Sequence, residues 1–204
     1  MHVEELIEGC RDGVTTQDPV TAVMAVLGAF LHQPHLEHEL GTADRSTYHA
    51  LYRGNDVLVL HGVVPPTPKP VDPHDHRMWA VVGVYHGQED NQLFARTGKA
   101  ALEPTERFSL RAGELQPLDA STIHSVQASG GGYLGAVHVY GGDLFGTPRS
   151  TWHDGVEQPL DESALPAFFR SLRAHEDALG RAMTVEEVSA LLSAGPVRGT
   201  PSRR

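Results

Sequence analysis

The 204-residue sequence has few cysteines, few aromatic side chains and no long apolar run. Cys10 is the only cysteine, so no disulfide can form within the chain, and a reducing compartment fits this composition. The longest apolar run, Thr21 to Leu31, is far shorter than the roughly 20 residues that a membrane helix needs. The first residues, MHVEELIEGCRDG, are acidic where a secretory signal needs a basic start. We therefore expect a cytoplasmic protein without a membrane span.

Basic residues are also scarce. The chain has 16 lysines and arginines and 26 acidic residues, which gives a formal net charge of −10. An acidic surface repels a phosphate backbone, so binding to nucleic acid is not expected. The length is enough for one buried core and short for two. We therefore expect residues 1–204 to form a single domain.

Helical and strand-like patterns divide the sequence into parts. Residues 1–47 have helical periodicity, and helical spacing returns in 158–195. Between 48 and 150, short runs rich in Val, Leu and Tyr alternate with Gly, Pro and Asp, which is typical of an all-β sandwich or barrel. Residues 196–204 have nothing to bury and are expected to be disordered. The predicted strands are Val57–Val64, Arg77–Tyr85, Gln92–Arg96, Arg107–Leu110, Ile123–Gln127 and Tyr133–Tyr140.

Local signals mark where individual elements start and stop. Asp18 stands before Pro19, as an N-cap residue stands before a proline at the first helical position. The segment HGQEDN after Tyr85 has the composition of a turn or loop. We therefore expect a helix to begin at Pro19 and a loop to occupy residues 86–91.

A pair of histidines is the first candidate for chemistry. His74 and His76 flank Asp75 beside a predicted strand, where alternation points both rings to one face. His124 begins a later strand, after the turn-forming segment Pro117 to Thr122. Two imidazoles from one strand and a third from its neighbour can hold a metal and leave positions open for substrate and oxygen. With 13 histidines in the chain, a chance pair of solvated rings is the alternative.

Alternation in the segment AVHVY places Ala136, His138 and Tyr140 on one face and Val137 and Val139 on the other. If the first face borders a polar cavity, His138 can orient the phenol of Tyr140 and hold its proton where a substrate or dioxygen needs a donor. The alternative is a His and Tyr pair at the surface. Four other histidines have no convergent partners in the sequence and are expected at the surface or as satisfied core residues: His61, His86, His153 and His175.

Three motifs now stand in order: His74-x-His76, then Pro117 through Asp119 to His124, then His138-x-Tyr140 followed by GGDLF. Together they resemble the cupin-fold thiol dioxygenases, the family of cysteine dioxygenase and the bacterial 3-mercaptopropionate dioxygenases. The resemblance covers about half the chain, from Tyr48 to Arg149.

The resemblance implies a mainly β fold, a cupin double-stranded β-helix or jelly-roll barrel, here with helices added at both ends. It implies non-haem iron(II), Fe(2+), bound by His74, His76 and His124. It also implies that His138 and Tyr140 assist the oxygenation of a small thiol to a sulfinic acid.

The chain departs from the family pattern at several positions. Cupins commonly carry a glutamate shortly after the H-x-H, whereas Ala80 and Val81 stand here, so the metal would have three neutral imidazoles, as in the thiol dioxygenases. Ala136 replaces the serine of the family's Ser-x-His-x-Tyr series, which removes a hydroxyl that would fix the ring of His138. No cysteine lies near Tyr140 in the sequence to form the crosslink of the animal enzymes.

Two arginines are candidates for binding a substrate carboxylate. The Tyr-x-Arg stretch of cysteine dioxygenases is missing in the comparable region, which contains Arg53. Arg149 matches an arginine of the bacterial mercaptopropionate-type enzymes and is the preferred anchor, through bidentate geometry. A surface arginine on a loop is the alternative.

The leading hypothesis is an iron(II) dioxygenase that uses O2 to oxidise a small thiol-bearing acid such as cysteine or 3-mercaptopropionate. The alanine at 136 and the missing Tyr-x-Arg leave open a three-histidine iron oxygenase that acts on a non-thiol small acid or diketone. A non-catalytic cupin that binds a metal or ligand is a third possibility, because function depends on the site and not on the fold. Composition leaves open whether the terminal helices cover the barrel or contact another subunit.

Overall fold

The protein contains two antiparallel sheets, with helices at both ends of the chain. The computed structural model describes residues 1–34, 36–40, 46–98, 101–130, 132–162, 165–181 and 183–193. The segment 196–204, predicted to be disordered, lies outside the described residues. Within the described ranges, no helix combines the length and the apolar character that a bilayer crossing requires.

The helices lie before and after the strands. The one that begins at Pro19 starts as predicted, because Asp18 Oδ1 accepts a hydrogen bond from the Thr21 backbone N–H at 3.1 Å. The described helices are α1 (Val3–Gly13), α2 (Pro19–Leu31), α3 (Leu36–Glu39), α4 (Leu165–Leu179) and α5 (Val185–Ser193).

Strands account for most of the chain between the helices. They continue past residue 150 to Pro159. The described strands are β1 (Thr47–Arg53), β2 (Leu58–Val64), β3 (His74–Asp75), β4 (Ala80–His86), β5 (Gln88–Thr97), β6 (Ala101–Arg111), β7 (Leu115–Leu118), β8 (Ile123–Ser129), β9 (Leu134–Tyr140), β10 (Ser150–His153) and β11 (Val156–Pro159).

The strands form two sheets between which the chain repeatedly crosses. One sheet has the order β1-β2-β9-β4-β7 and the other the order β11-β10-β3-β8-β5-β6. From β2 onward, successive strands change sheet at almost every step, the hairpins β5–β6 and β10–β11 being the exceptions. This winding of antiparallel strands is that of a double-stranded β-helix, or jelly roll. The predicted fold class is confirmed.

The five-stranded sheet is buried on both faces. On its outer face Val137 and Val139 of β9 pack with Leu27 and Phe30 of α2. On its inner face Ala80, Val82, Ala136 and Tyr140 belong to the core between the sheets. The alternation predicted for β9 is therefore present, and the side that bears Tyr140 faces the barrel interior.

The terminal helices cover the barrel. The helices α1 and α2 pack on the outer face of the five-stranded sheet. At the other end of the chain, Phe169 of α4 stacks on Tyr48 of β1, with ring centroids 4.9 Å apart. Leu172 and Val188 complete a small core beneath α4 and α5. Within the chain, the helices at both ends therefore pack on the barrel.

The predicted strand Arg77–Tyr85 is wrong at its start. His74 and Asp75 form a separate short strand in the six-stranded sheet, and β4 begins only at Ala80 in the other sheet. The Asp75 carboxylate accepts a hydrogen bond from the Ser150 backbone N–H at 2.8 Å and lies 2.6 Å from Arg77 Nε. Arg77 adopts φ 59°, a left-handed conformation that redirects the chain toward the other sheet.

The turn or loop predicted for residues 86–91 is present only as a turn at Gly87, and the rest of this prediction is wrong. Gly87, with φ 73°, makes a tight turn, and β5 then begins at Gln88. A Cβ at Gly87 would lie 2.3 Å from the Tyr133 carbonyl oxygen, so only glycine fits there. The residues that follow, Glu89 to Asn91, are polar but alternate between buried and less buried positions as a strand requires. Composition predicted a loop because both faces of this strand are polar.

Candidate metal centre

Three imidazole rings converge between the two sheets. His74 lies directly opposite His124 across the β3–β8 ladder, and His76 follows the end of β3. One ring nitrogen of each residue lies within 4.8 Å of the other two, and the Nε2 atoms of His76 and His124 are 3.3 Å apart. Two nitrogens bound at ~2.1 Å to one ion are separated by roughly 3.0–3.5 Å, so this spacing suits a shared metal.

Neighbouring acceptors orient two of the three rings. Asn91 Oδ1 lies 2.8 Å from His124 Nδ1, and the Asp72 carbonyl lies 3.1 Å from His74 Nδ1. Because these oxygens accept hydrogen bonds, each Nδ1 carries the proton and each Nε2 presents a lone pair. The Nδ1 of His76 is buried and has no hydrogen-bond partner among the described residues.

Burial keeps these rings neutral. It lowers the pKa of His76 and of His124 well below the usual value, and the neighbouring histidines lower both further. Burial also lowers the pKa of His74, although its hydrogen bond to the Asp72 carbonyl acts in the opposite direction. A histidine ligates metals in its neutral form, so all three rings are available as ligands at neutral pH.

The donor set fits a divalent transition metal. Imidazole suits iron, zinc, copper and nickel, so three such ligands do not select one metal by themselves. Among the described residues, the group that could hold a metal ion consists of the three histidines and contains no carboxylate. A bound dication would therefore keep its full positive charge and favour an anionic ligand at its open positions.

The second predicted pair lies beside this cluster. The ring of Tyr140 contacts that of His76 edge-to-face, with centroids 5.1 Å apart. The Tyr140 hydroxyl lies 3.2 Å from His138 Nδ1. Burial raises the pKa of Tyr140 well above 10 and lowers that of His138, so both side chains are neutral at neutral pH.

The predicted carboxylate anchor, Arg149, is buried and already paired. Its guanidinium forms an ion pair with Glu162 through Nη2, and Nε donates a hydrogen bond to the Leu144 carbonyl at 3.2 Å. A further contact of 3.5 Å reaches the carbonyl of Asp75, the residue between His74 and His76. Arg149 thus contacts the segment that carries His74 and His76, and an anionic substrate would have to compete with Glu162 for its guanidinium.

The other arginine, Arg53, lies at the surface. It binds Asp143 in a bidentate manner, with distances of 3.0 and 2.9 Å, and its guanidinium covers the ring of Phe145. Half of its side chain is exposed. The structure therefore brings five predicted residues together, places Arg149 at their edge, and commits Arg53 to a surface pair.

Sequence reasoning missed the polar residues that support the cluster. Asn91 and Glu89 are almost fully buried on β5, in the stretch that composition assigned to a loop. Glu89, Asp90 and Asn91 are all polar, so the sequence carried no signal of their alternation, and only the structure shows that Glu89 and Asn91 are buried while Asp90 accepts a hydrogen bond from Ser109 Oγ. A hydrophobicity pattern cannot show such a strand because its inward residues are polar.

No protein-family model and no curated protein sequence matches the chain. Solved structures that are similar to it include an RmlC-like cupin family protein with a double-stranded β-helix fold from Methanocaldococcus jannaschii, with 15% identity over 50% of this chain and 84% of that one and a TM-score of 0.41. A protein from Bacillus halodurans shows 17% identity over 54% and 80% of the two chains, with a TM-score of 0.45.

A cupin superfamily protein from Desulfitobacterium hafniense is 12% identical over 48% of this chain and 79% of that chain, with a TM-score of 0.38. Similarity at this level concerns the fold alone. Activity has to be inferred from the geometry of the histidine cluster.

Proposed function

We propose that the protein is a non-haem iron(II) dioxygenase that oxidises a small thiol-bearing acid to a sulfinate. The observation that carries this proposal is the convergence of three neutral imidazoles without a carboxylate, within 4.8 Å of one another. A metal held in this way attracts a thiolate more strongly than one whose charge a protein carboxylate has reduced.

The reaction adds both atoms of O2 to the sulfur of the substrate. The sulfur loses four electrons, dioxygen gains four, and RSH becomes RSO2H without another reductant. Iron(II), when bound, would supply the redox chemistry and the coordination positions at which a thiol and dioxygen meet.

The chain supplies orientation and a dry environment. Tyr140 is 4% exposed and lies beside the ligand His76, where its hydroxyl can form a hydrogen bond with a small molecule in the cluster. The Nδ1 atom of His138 lies 3.2 Å from that hydroxyl and can orient it. Arg149 provides the nearest buried positive charge for a carboxylate, provided that Glu162 gives way.

The test is oxygen uptake by anaerobically iron-loaded protein offered cysteine, cysteamine or 3-mercaptopropionate. With 18O2, the expected product is a sulfinate that contains two labelled oxygen atoms. Tyr140→Phe removes only the hydroxyl and is expected to lower the rate, whereas His153→Ala, at an exposed histidine paired with Asp72, should leave it unchanged. Iron that binds tightly without oxygen uptake for any thiol would contradict the proposal.

A second candidate is a three-histidine iron oxygenase that acts on a non-thiol small acid or diketone. Two observations favour it: Ala136 offers no hydroxyl to His138, and Glu162 already occupies Arg149. Oxygen uptake with an enolisable diketone but with no thiol would support this candidate. Iron binding without uptake for either class of substrate would support a non-catalytic metal-binding cupin.

A further inference from the structure

The side chain of Glu89 lies between the metal cluster, which consists of His74, His76 and His124, and the His138–Tyr140 pair. It is 1% exposed, and its Oε1 accepts a hydrogen bond from Asn91 Nδ2 at 2.9 Å. Its Oε2 is 3.6 Å from His138 Nε2 and has no hydrogen-bond partner among the described residues. A buried carboxylate is costly unless it is paired, so a carboxylate with one of its two oxygens unsatisfied requires an explanation.

A second buried glutamate shows that the arrangement at Glu89 is not general. Glu176 is also 1% exposed, yet its carboxylate accepts from the Ser46 backbone N–H at 2.6 Å and from the Ser46 hydroxyl at 3.1 Å. The Met183 backbone N–H adds a contact at 3.4 Å. Glu176 therefore joins the C-terminal helices to the residue before β1. The carboxylate of Glu89 instead lies against the side chains of Asn91 and His138.

A carboxylate can only accept hydrogen bonds, and this determines how Asn91 is oriented. Because the amide nitrogen of Asn91 donates to Glu89, its oxygen faces His124 Nδ1, 2.8 Å away. The proton of His124 must then be on Nδ1, and the Nε2 lone pair points into the metal cluster. Glu89 thus acts on a metal ligand through one intermediate residue.

The same argument applies on the other side of the carboxylate. A neutral imidazole has one proton, and next to Glu89 Oε2 that proton belongs on His138 Nε2. The Nδ1 of His138 then has a free lone pair 3.2 Å from the Tyr140 hydroxyl, which donates to it. The phenolic oxygen consequently faces a substrate as a hydrogen-bond acceptor, opposite to the donor role expected from sequence.

We propose that Glu89 is a positioning residue that fixes the Nδ1–H tautomer of His124 and the Nε2–H tautomer of His138 at the same time. Its influence on a reaction rests on the proposed function, but the tautomers themselves do not. They are properties of the protein without metal or substrate.

The deciding variant is Glu89→Gln, which keeps the shape of the side chain. An amide has one acceptor and one donor, so it can satisfy either Asn91 or His138 in the original sense, but not both. If the amide oxygen faces Asn91, the tautomer of His138 reverses. If the amide nitrogen faces Asn91, the asparagine turns over and the tautomer of His124 reverses.

The measurement is long-range 1H–15N correlation NMR of metal-free protein labelled with 15N-histidine, with resonances assigned by His124→Gln and His138→Gln. The native protein should show His124 as Nδ1–H and His138 as Nε2–H. In Glu89→Gln, at least one of the two rings should exchange its protonated and unprotonated 15N shifts. Glu89→Asp, which retains two acceptors, should preserve both tautomers.

The matched control is Glu176→Gln, which changes another buried glutamate and should leave both rings as they are. A native His138 protonated on Nδ1, or a Glu89→Gln variant with both tautomers unchanged, would overturn the proposal. Both results are independent of oxygen uptake. Predicted tautomers with no oxygenase activity would refute the proposed function alone.

Discussion

Two groups of histidines lie on opposite sides of the five-stranded sheet, and among the described residues only one of them has the geometry that could hold a metal ion. The metal cluster, His74, His76 and His124, lies between the sheets. The outer pair is His61, fully buried opposite Val137 on the outer face, and His49, whose ring meets it edge-to-face at 5.2 Å. In both groups burial lowers the pKa of the histidines.

The difference lies in where the lone pairs point. In the metal cluster the Nε2 atoms of His76 and His124 face each other at 3.3 Å. In the outer pair, His61 Nε2 is occupied by the Tyr85 hydroxyl at 2.8 Å. Burial makes a histidine neutral, but it becomes a ligand only when several free ring nitrogens converge on one point.

Removing one histidine ring from each group has the largest expected effect on metal binding. His124→Ala should weaken iron(II) binding at least about 1000-fold, since even loss of an outer partner of a ligand costs roughly 10–100-fold. His61→Gln retains a hydrogen-bonding group near Tyr85 and should bind iron(II) as the native protein does. Isothermal titration under anaerobic conditions measures both. Equal loss in the two variants would show that burial alone, and not convergence, controls binding.

The outer pair should instead affect stability in acid. Burial lowers the pKa of His61 to about 4, whereas in the unfolded chain it is near 6.5. Between these values the unfolded state binds the extra proton, so the free energy of unfolding falls as pH decreases from 6.5 to 4 and is unaffected above 6.5. The contribution of His61 is about 3 kcal/mol.

Urea unfolding of metal-free protein between pH 7 and 4 measures this dependence. His61→Gln should lose less stability over the range than the native protein, because the glutamine does not titrate. The other buried histidines continue to titrate in both proteins and cancel in the difference. Parallel pH profiles for the two proteins would mean that His61 does not bind a proton upon unfolding.

The sequence predicted strands best where hydrophobic residues alternate along them. Strand β9 was predicted correctly because Val137 and Val139 alternate with Ala136 and Tyr140 and both faces are buried. The convergence of the three ligand histidines was predicted from spacing and resemblance. The spacing of short strands and turns predicted an all-β sandwich or barrel, and the resemblance implied the double-stranded β-helix.

The polar support of the site could not be predicted in the same way. Strand β5 brings Glu89 and Asn91 inward, but its first residues are polar on both faces and have the composition of a loop. The break at Arg77 depends on the contacts of Asp75 with β10, which is distant in sequence. The partner of Arg149, Glu162, follows the strands and became apparent only from the coordinates.

A finer comparison removes the partner of one ring in each group. Asn91→Ala deletes the acceptor of His124 Nδ1 and should weaken iron(II) binding by roughly 10–100-fold, because the ring loses its fixed tautomer. Tyr85→Phe deletes the hydroxyl that contacts His61 and should leave iron(II) affinity unchanged. Anaerobic competition with a colorimetric chelator measures both affinities. Unchanged affinity in Asn91→Ala would show that packing alone holds His124.

The smallest expected effect concerns the positive charge of Arg149, which lies near the metal cluster and acts electrostatically on His76. Glu162→Gln removes the anion that pairs with Arg149 and should favour a substrate carboxylate by about 1 kcal/mol, which lowers the KM for 3-mercaptopropionate roughly fivefold. The KM for cysteamine, which has no carboxylate, should not fall. Asp143→Asn breaks the exposed pair with Arg53 and serves as the matched control, with both KM values unchanged. If Glu162→Gln lowers both KM values equally or raises the KM for 3-mercaptopropionate, Arg149 supports the segment that carries His74 and His76 and does not bind the substrate carboxylate.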